Sequence, residues 1–145
     1  MARIEQSVEI KRPVDKVFAY TTDAESWPKW QSSMTEAGQT SQGQIGVGTT
    51  FKGINRWMGL RVKWVAKVTE YEPNKRWSKN ITYWSTIIED HLIFDPLKGG
   101  TKFALVYDIK VGGFLKLFSW MAARSMRKQM KVSLNNLKSI LEAQA

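Results

Sequence analysis

The sequence predicts an α+β fold in which a curved, antiparallel, seven-stranded sheet wraps around one long C-terminal helix, with two short helices after the first strand. Three observations carry this. From Phe114 to Glu142, after the Gly112–Gly113 pair, there is no Gly or Pro, and Leu, Met, Ala, Lys, Arg and Gln dominate, so intrinsic preference favours one long helix. From Ser33 to Ile109, apolar residues alternate with polar ones in runs broken by short turn signals, the pattern of an antiparallel meander. A sheet with one polar face must bury the other, and the one large apolar partner available is that helix, which therefore belongs in the concave side.

The elements follow in order. Ile4, Gln6, Val8 and Ile10 alternate with charged and polar neighbours as a first strand. Pro13 opens a short helix with Val14, Val17, Phe18 and Thr21 on one face, since a first helical turn does not need the missing N–H. Asp23 is placed to cap a second short helix that ends near Trp30. Strands are then expected over Ser33–Gln42, Thr49–Trp57, Leu60–Tyr71, Arg76–Trp84, Ile87–Phe94 and Thr101–Val111. Met58-Gly59, Glu72-Pro73-Asn74-Lys75 and Asp95–Gly100 form turns between them. On the long helix, Ala122, Met126, Met130, Ser133, Leu137, Ile140 and Leu141 form one stripe. Arg124, Arg127, Lys128, Lys131 and Lys138 lie largely off it.

No linker, repeat or low-complexity segment divides the 145 residues, so one domain over 1–145 is expected. With no Cys, disulfides, thiolate metal sites and cysteine nucleophiles are excluded. A single His and scattered carboxylates give no metal-loop spacing, and Gly46-Val47-Gly48 is no dinucleotide fingerprint, so neither metal nor cofactor is expected. Met1–Ile10 has no signal-peptide core, and Gly112–Ala123 is too short to span a bilayer, so a cytoplasmic location is the expectation.

The formal charge is +9, and the segment from Lys110 onward holds seven bases against one acid. Lys52, Arg56, Arg61, Lys63 and Lys67 form a second basic stretch with Trp57 and Trp64 among them. Such a surface either keeps the protein solvated or meets an anionic membrane or RNA; transient membrane contact fits better than nucleic acid, for which no module pattern is visible.

Several stretches resemble the START-like (SRPBCC) helix-grip superfamily, and within it the polyketide cyclase/dehydrase and lipid-transport branch. They are Ile10 to Tyr20, Asp23 to Trp30, Val47-Gly48-Thr49, Val68 to Asn74, and Phe94-Asp95-Pro96 through Gly99-Gly100-Thr101. The resemblance covers nearly the whole chain and implies a deep, mostly apolar cavity between sheet and helix for a lipid, polyketide or other hydrophobic molecule. It does not choose between a carrier or sensor and a cyclase- or dehydratase-like enzyme.

The bottom-up reading points to the same place. Seven Trp is more than packing alone usually requires, and the methionine stripe is read as ordinary core packing or, alternatively, as an adaptable wall over an apolar ligand. Trp64, Leu92, Phe94, Leu105, Tyr107, Met121, Met126 and Met130 lie on faces argued to be inward, with Trp57, Trp77 and Tyr83 placed at the mouth; each reads first as core packing, with ligand contact as the alternative. Asp90 shares the inward face of its strand with Ile88, Leu92 and Phe94. It is read either as a buried acid–base group or as a carboxylate near the strand end, solvated or paired with Lys or Arg. His91 falls on the opposite face with Glu89, a weak candidate for catalysis.

Overall fold

In a computed structural model, described for residues 2–57, 59–83, 86–110 and 119–144, with side chains of 2, 57 and 119–123 outside the description, seven strands form one antiparallel sheet. They are β1 (Ala2–Ile10), β2 (Met34–Gln39), β3 (Thr50–Trp57), β4 (Leu60–Glu72), β5 (Arg76–Tyr83), β6 (Thr86–Leu97) and β7 (Gly100–Lys110). The spatial order is β1-β7-β6-β5-β4-β3-β2, so six strands run as a meander and β1 joins it beside β7. Between β1 and β2 the chain forms α1 (Val14–Thr22), a 3₁₀ turn (Ala24–Ser26) and α2 (Trp27–Trp30). The long helix α3 (Ser119–Ala143) closes the fold.

Local chemistry accounts for these boundaries. The Asp23 side chain accepts from the Glu25 backbone N–H at 3.1 Å, capping the 3₁₀ turn that leads into α2. At Glu72-Pro73-Asn74-Lys75, the Lys75 N–H donates to the Glu72 carbonyl and Asn74 takes φ 63°, as the third position of a type II turn requires. One expectation is corrected: β6 does not stop at Phe94 but runs through Asp95, Pro96 and Leu97, which pair with β7 alone, opposite Lys102, Thr101 and Gly100. The β5 partner ends at Ile93, so the nitrogen of Pro96 faces no strand and costs no ladder bond. The turn shrinks to Lys98-Gly99, with Gly99 at φ 81°.

Helix α3 lies in the concave side, against β1 and α2. Met130, Leu134, Leu137 and Leu141 are its buried stripe, to which Leu134 is an addition. Its length is fastened by polar contacts. Ser133 Oγ accepts from the Ser32 N–H, Asn136 donates to the Trp30 carbonyl, Lys138 donates to the Glu9 carbonyl, and the Glu142 carboxylate accepts the Lys11 N–H. Beneath it, Phe18, Phe94 and Phe103 pack ring to ring with centroids 5.1 Å apart in each successive pair, and Trp30 meets Phe103 edge-on. This end of the concave side is aromatic core.

Candidate functional site

The other end of the concave side is built differently. In β5, Trp77, Lys79, Ile81 and Tyr83 all point inward, and in β6 so do Ile88, Asp90, Leu92 and Phe94. The register sets Lys79 directly opposite Asp90, and Asp90 directly opposite Tyr107 on β7. A lysine, a carboxylate and a phenol thus stand in one row across three adjacent strands. Lys79 and Asp90 are buried, their side chains only 3% and 5% exposed, and Tyr107 is half-buried.

Lys79 Nζ donates to Asp90 Oδ2 at 2.7 Å and sits 4.4 Å from the ring centroid of Trp77 and 4.8 Å from that of Trp27. Both indoles are fully buried and stack with centroids 5.9 Å apart. The ammonium is held between one carboxylate oxygen and two aromatic faces, each worth about 2 kcal/mol when desolvated. Asp90 Oδ1 is different: it is buried and, among the described residues, has no hydrogen-bond partner.

Asp90 and Lys79 help to line a cavity of about 60 Å³. Its walls include Trp64, Asn55, Ile81, Tyr83, Ile88 and Tyr107 from the sheet, Met126, Gln129, Met130 and Ser133 from α3, and Gln31, Ser33 and Met34 from the segment after α2. Ligand pockets typically enclose about 300–1,000 Å³, several times the 60 Å³ open here. Burial, with Asp90's charge second, raises the pKa of Tyr83 and of Tyr107, so both phenols are neutral at ordinary pH. Trp64 donates to Asn55 Oδ1 at 2.9 Å, which turns the Asn55 amide NH₂ toward Ser33 Oγ and the Tyr83 hydroxyl. Gly53 gives the Trp64 indole its seat, since a Cβ there would collide with the ring.

Of the expected residues, the fold brings Trp64, Tyr83, Tyr107, Met126, Met130 and Asp90 to this cavity. Leu92, Phe94 and Leu105 are buried but do not border it, and Met121 and Trp57 fall outside the described side chains. Trp77 is not at a mouth: it is fully buried beneath Lys79. Asp90 is neither solvated nor near a strand end; it is paired with a lysine in mid-strand. Lys79 falls on the same inward alternation as Trp77 and Ile81.

His91 lies on the outer face. Its Nδ1 is 2.8 Å from Ser78 Oγ, which donates to Glu70, and its Nε2 is 3.4 Å from Asp108 and 3.8 Å from Glu89. Sequence spacing did not reveal that Glu89, His91 and Asp108 hold ligand-type atoms within 4.8 Å of one another. Both carboxylates already have a protein cation: Lys110 at 2.9 Å from Glu89, and Arg3 at 3.4 Å from Asp108. The Lys110 bond holds the Glu89 carboxyl below the usual range. Also on the outer face, Lys52, Arg56, Arg61, Lys63 and Lys67 are all exposed on β3 and β4, whereas Trp64 turns inward and cannot join them. None of the described helices is long and apolar enough to cross a membrane.

A family model described as polyketide cyclase / dehydrase and lipid transport matches residues 1–142. Among solved structures, a protein from Thermus thermophilus is similar over 99% of each chain, with 17% identity and a TM-score of 0.84. The Zhui aromatase/cyclase from Streptomyces sp. R1128 aligns with 97% of this chain and 93% of its own at 14% identity and a TM-score of 0.79. A protein from Chromobacterium violaceum aligns over 98% of this chain and 99% of its own at 14% identity and a TM-score of 0.79. At such identities these likenesses concern the fold. No curated protein sequence matches the chain significantly.

Proposed function

Because the chain belongs to the polyketide cyclase / dehydrase and lipid transport family, we propose that it acts as one ligand-binding domain, a carrier or sensor holding a lipid, polyketide or aromatic molecule between sheet and α3. The observation that carries this is a cavity between the sheet and α3 in which Trp64, Ile81, Ile88, Met126 and Met130 alternate with polar groups from Asn55, Tyr83, Tyr107 and Gln129. The cavity widens when Met126 and Met130 turn aside, which unbranched thioether chains do readily.

Native mass spectrometry of freshly purified protein, followed by organic extraction, tests the reading. The expected result is a stoichiometric apolar compound, or its uptake on incubation with lipids and aromatic polyketides. Met126→Trp fills the α3 side of the cavity and is expected to abolish that uptake while the fold is retained. A persistently ligand-free mass would overturn the proposal.

One observation favours a second reading, a cyclase- or dehydratase-like enzyme. A carboxylate and two neutral phenols surround the same small space, the makings of a proton acceptor and two donors. On that reading Asp90→Asn lowers turnover of the extracted compound by about 10²–10⁴-fold; full turnover in the variant removes Asp90 from any mechanism. The outer basic face supports a complementary role, transient contact with anionic lipid when a carrier exchanges its cargo.

A further inference from the structure

The outer face of the sheet carries a second hollow, more open than the inner cavity. Thr50, Lys52, Val65, Lys67, Asn80 and Thr82 line a groove of about 400 Å³ there. Strand register places them. Lys52, Val65, Thr82 and Ile87 stand in one row across β3 to β6, and Thr50, Lys67 and Asn80 stand in the next. Val65 and Ile87 are 59% and 41% exposed, so the first row is an apolar strip open to solvent. Three exposed lysines surround Val65: Lys52 lies directly opposite on β3, and Lys63 and Lys67 lie two residues to either side on β4, about 7 Å away. Glu36 bonds Arg61 and Glu89 bonds Lys110; among the described residues, no carboxylate bonds any of these three lysines. At the groove's edge Thr40 Oγ1 and Thr50 Oγ1 are 2.7 Å apart, so one hydroxyl hydrogen lies between them and the other is left to donate outward.

Each simpler occupant satisfies only part of this surface. A small inorganic anion would pair with the lysines and leave Val65 and Ile87 in water. A neutral apolar body would cover those two side chains and leave three like charges uncompensated. RNA would meet the charge, but Trp64 and Phe51 both turn inward and leave no described ring on which a base could stack. An anionic amphiphile answers both needs. We propose that this groove is a binding site for one anionic lipid, whose phosphate is held by Lys52 and Lys67 while the carbons next to it lie along Val65 and Ile87. The inference rests on the lipid contact given above for the outer basic face, and it narrows that contact from diffuse charge to a single headgroup.

The test is equilibrium dialysis at low salt against dihexanoyl phosphatidic acid below its micelle concentration, beside dihexanoyl phosphatidylcholine and inorganic phosphate. One phosphatidic acid per chain is expected, bound at least about tenfold more tightly than either comparator. Lys52→Gln/Lys67→Gln, which alters only exposed side chains, is expected to weaken it by about tenfold or more. A short-chain lipid could also enter the inner cavity, so Met126→Trp is measured beside it and is expected to leave this binding unchanged. Unchanged binding by the lysine variant overturns the outer site; a simultaneous loss in Met126→Trp then moves the lipid to the cavity and keeps the ligand-binding reading. Inorganic phosphate bound as tightly as phosphatidic acid, or a single-stranded RNA bound more tightly, overturns the lipid assignment. If phosphatidylserine vesicles bind but phosphatidic acid does not saturate, the contact is diffuse charge and the groove alone is overturned. Binding of neither overturns the membrane contact as well.

Discussion

Lys79 and Asp90 are a buried ion pair, and such pairs are seldom strong contributors to stability, because desolvation of both partners offsets their attraction. Removing one partner is a different matter. Lys79→Met keeps the length and apolar stem of the side chain but leaves Asp90 charged, buried and without any donor on either oxygen among the described residues. It is expected to destabilise the fold by about 3–5 kcal/mol, read from the urea midpoint. Lys79→Met/Asp90→Leu should recover most of that loss. If the single variant unfolds at the unaltered midpoint, the pair is not isolated from water as its burial indicates. Strand alternation, a local rule, puts Asp90 on the inward face of β6 but leaves open a solvated or Lys- or Arg-paired carboxylate near the strand end; the structure has it inward and paired. Alternation did not reveal Lys79 as the partner, since cross-strand register depends on the β5–β6 turn, and a lysine between Ser78 and Asn80 reads as surface until a carboxylate is known to stand opposite.

Helix α3 illustrates how much an element can be read ahead of its contacts. Its existence, its inward stripe and its seat in the concave side all follow from composition and a 3.6-residue period. Its attachment does not. The contacts that fasten it reach more than a hundred residues back in sequence, to Trp30, Ser32, Glu9 and Lys11. The Glu142 carboxylate accepts from Lys138 Nζ at 2.7 Å and from the Lys11 N–H at 2.9 Å, and these bonds lower its pKa below the ordinary 4.5. A carboxyl group with a depressed folded pKa stabilises the native state above its unfolded value and loses that contribution as pH falls through the folded one. Glu142→Gln keeps an acceptor oxygen for Lys11 and deletes only the charge. The variant should therefore be less stable than the parent at neutral pH, with the two denaturation midpoints converging as pH drops below about 4.5. A difference that persists undiminished in acid would assign the effect to geometry and not to ionisation. The β6 boundary was misjudged for a related reason. Asp95-Pro96 looks like a turn in isolation, and only an absent β5 neighbour makes Pro96 acceptable in a strand.

Across the whole molecule, the sheet separates two chemistries. The concave side holds the aromatic core and the small cavity, and the outer face of β3 and β4 carries Lys52, Arg56, Arg61, Lys63 and Lys67, with Glu36 the partner of Arg61 at 3.8 Å. The basic residues are interleaved with an indole along the chain, but a strand sends neighbours to opposite faces, so Trp64 lies in the interior, where alternation puts it, and the outer face keeps the charge. Val65, 59% exposed, is the apolar residue set among these cations. A surface of this kind attracts anionic lipid mainly through long-range charge, with about 1 kcal/mol for each basic residue near the bilayer. Because the attraction is screened within about 10 Å at 0.1 M salt and about 30 Å at 0.01 M, cosedimentation with phosphatidylserine vesicles should be marked at low salt and largely lost by about 0.3 M. Vesicles of phosphatidylcholine alone should bind little under either condition. Lys63→Glu/Lys67→Glu, both exposed and neither lining the cavity, should weaken the low-salt binding by roughly tenfold or more. Binding that survives high salt or charge reversal would assign the contact to apolar insertion elsewhere on the molecule, and the basic face would then serve solubility alone.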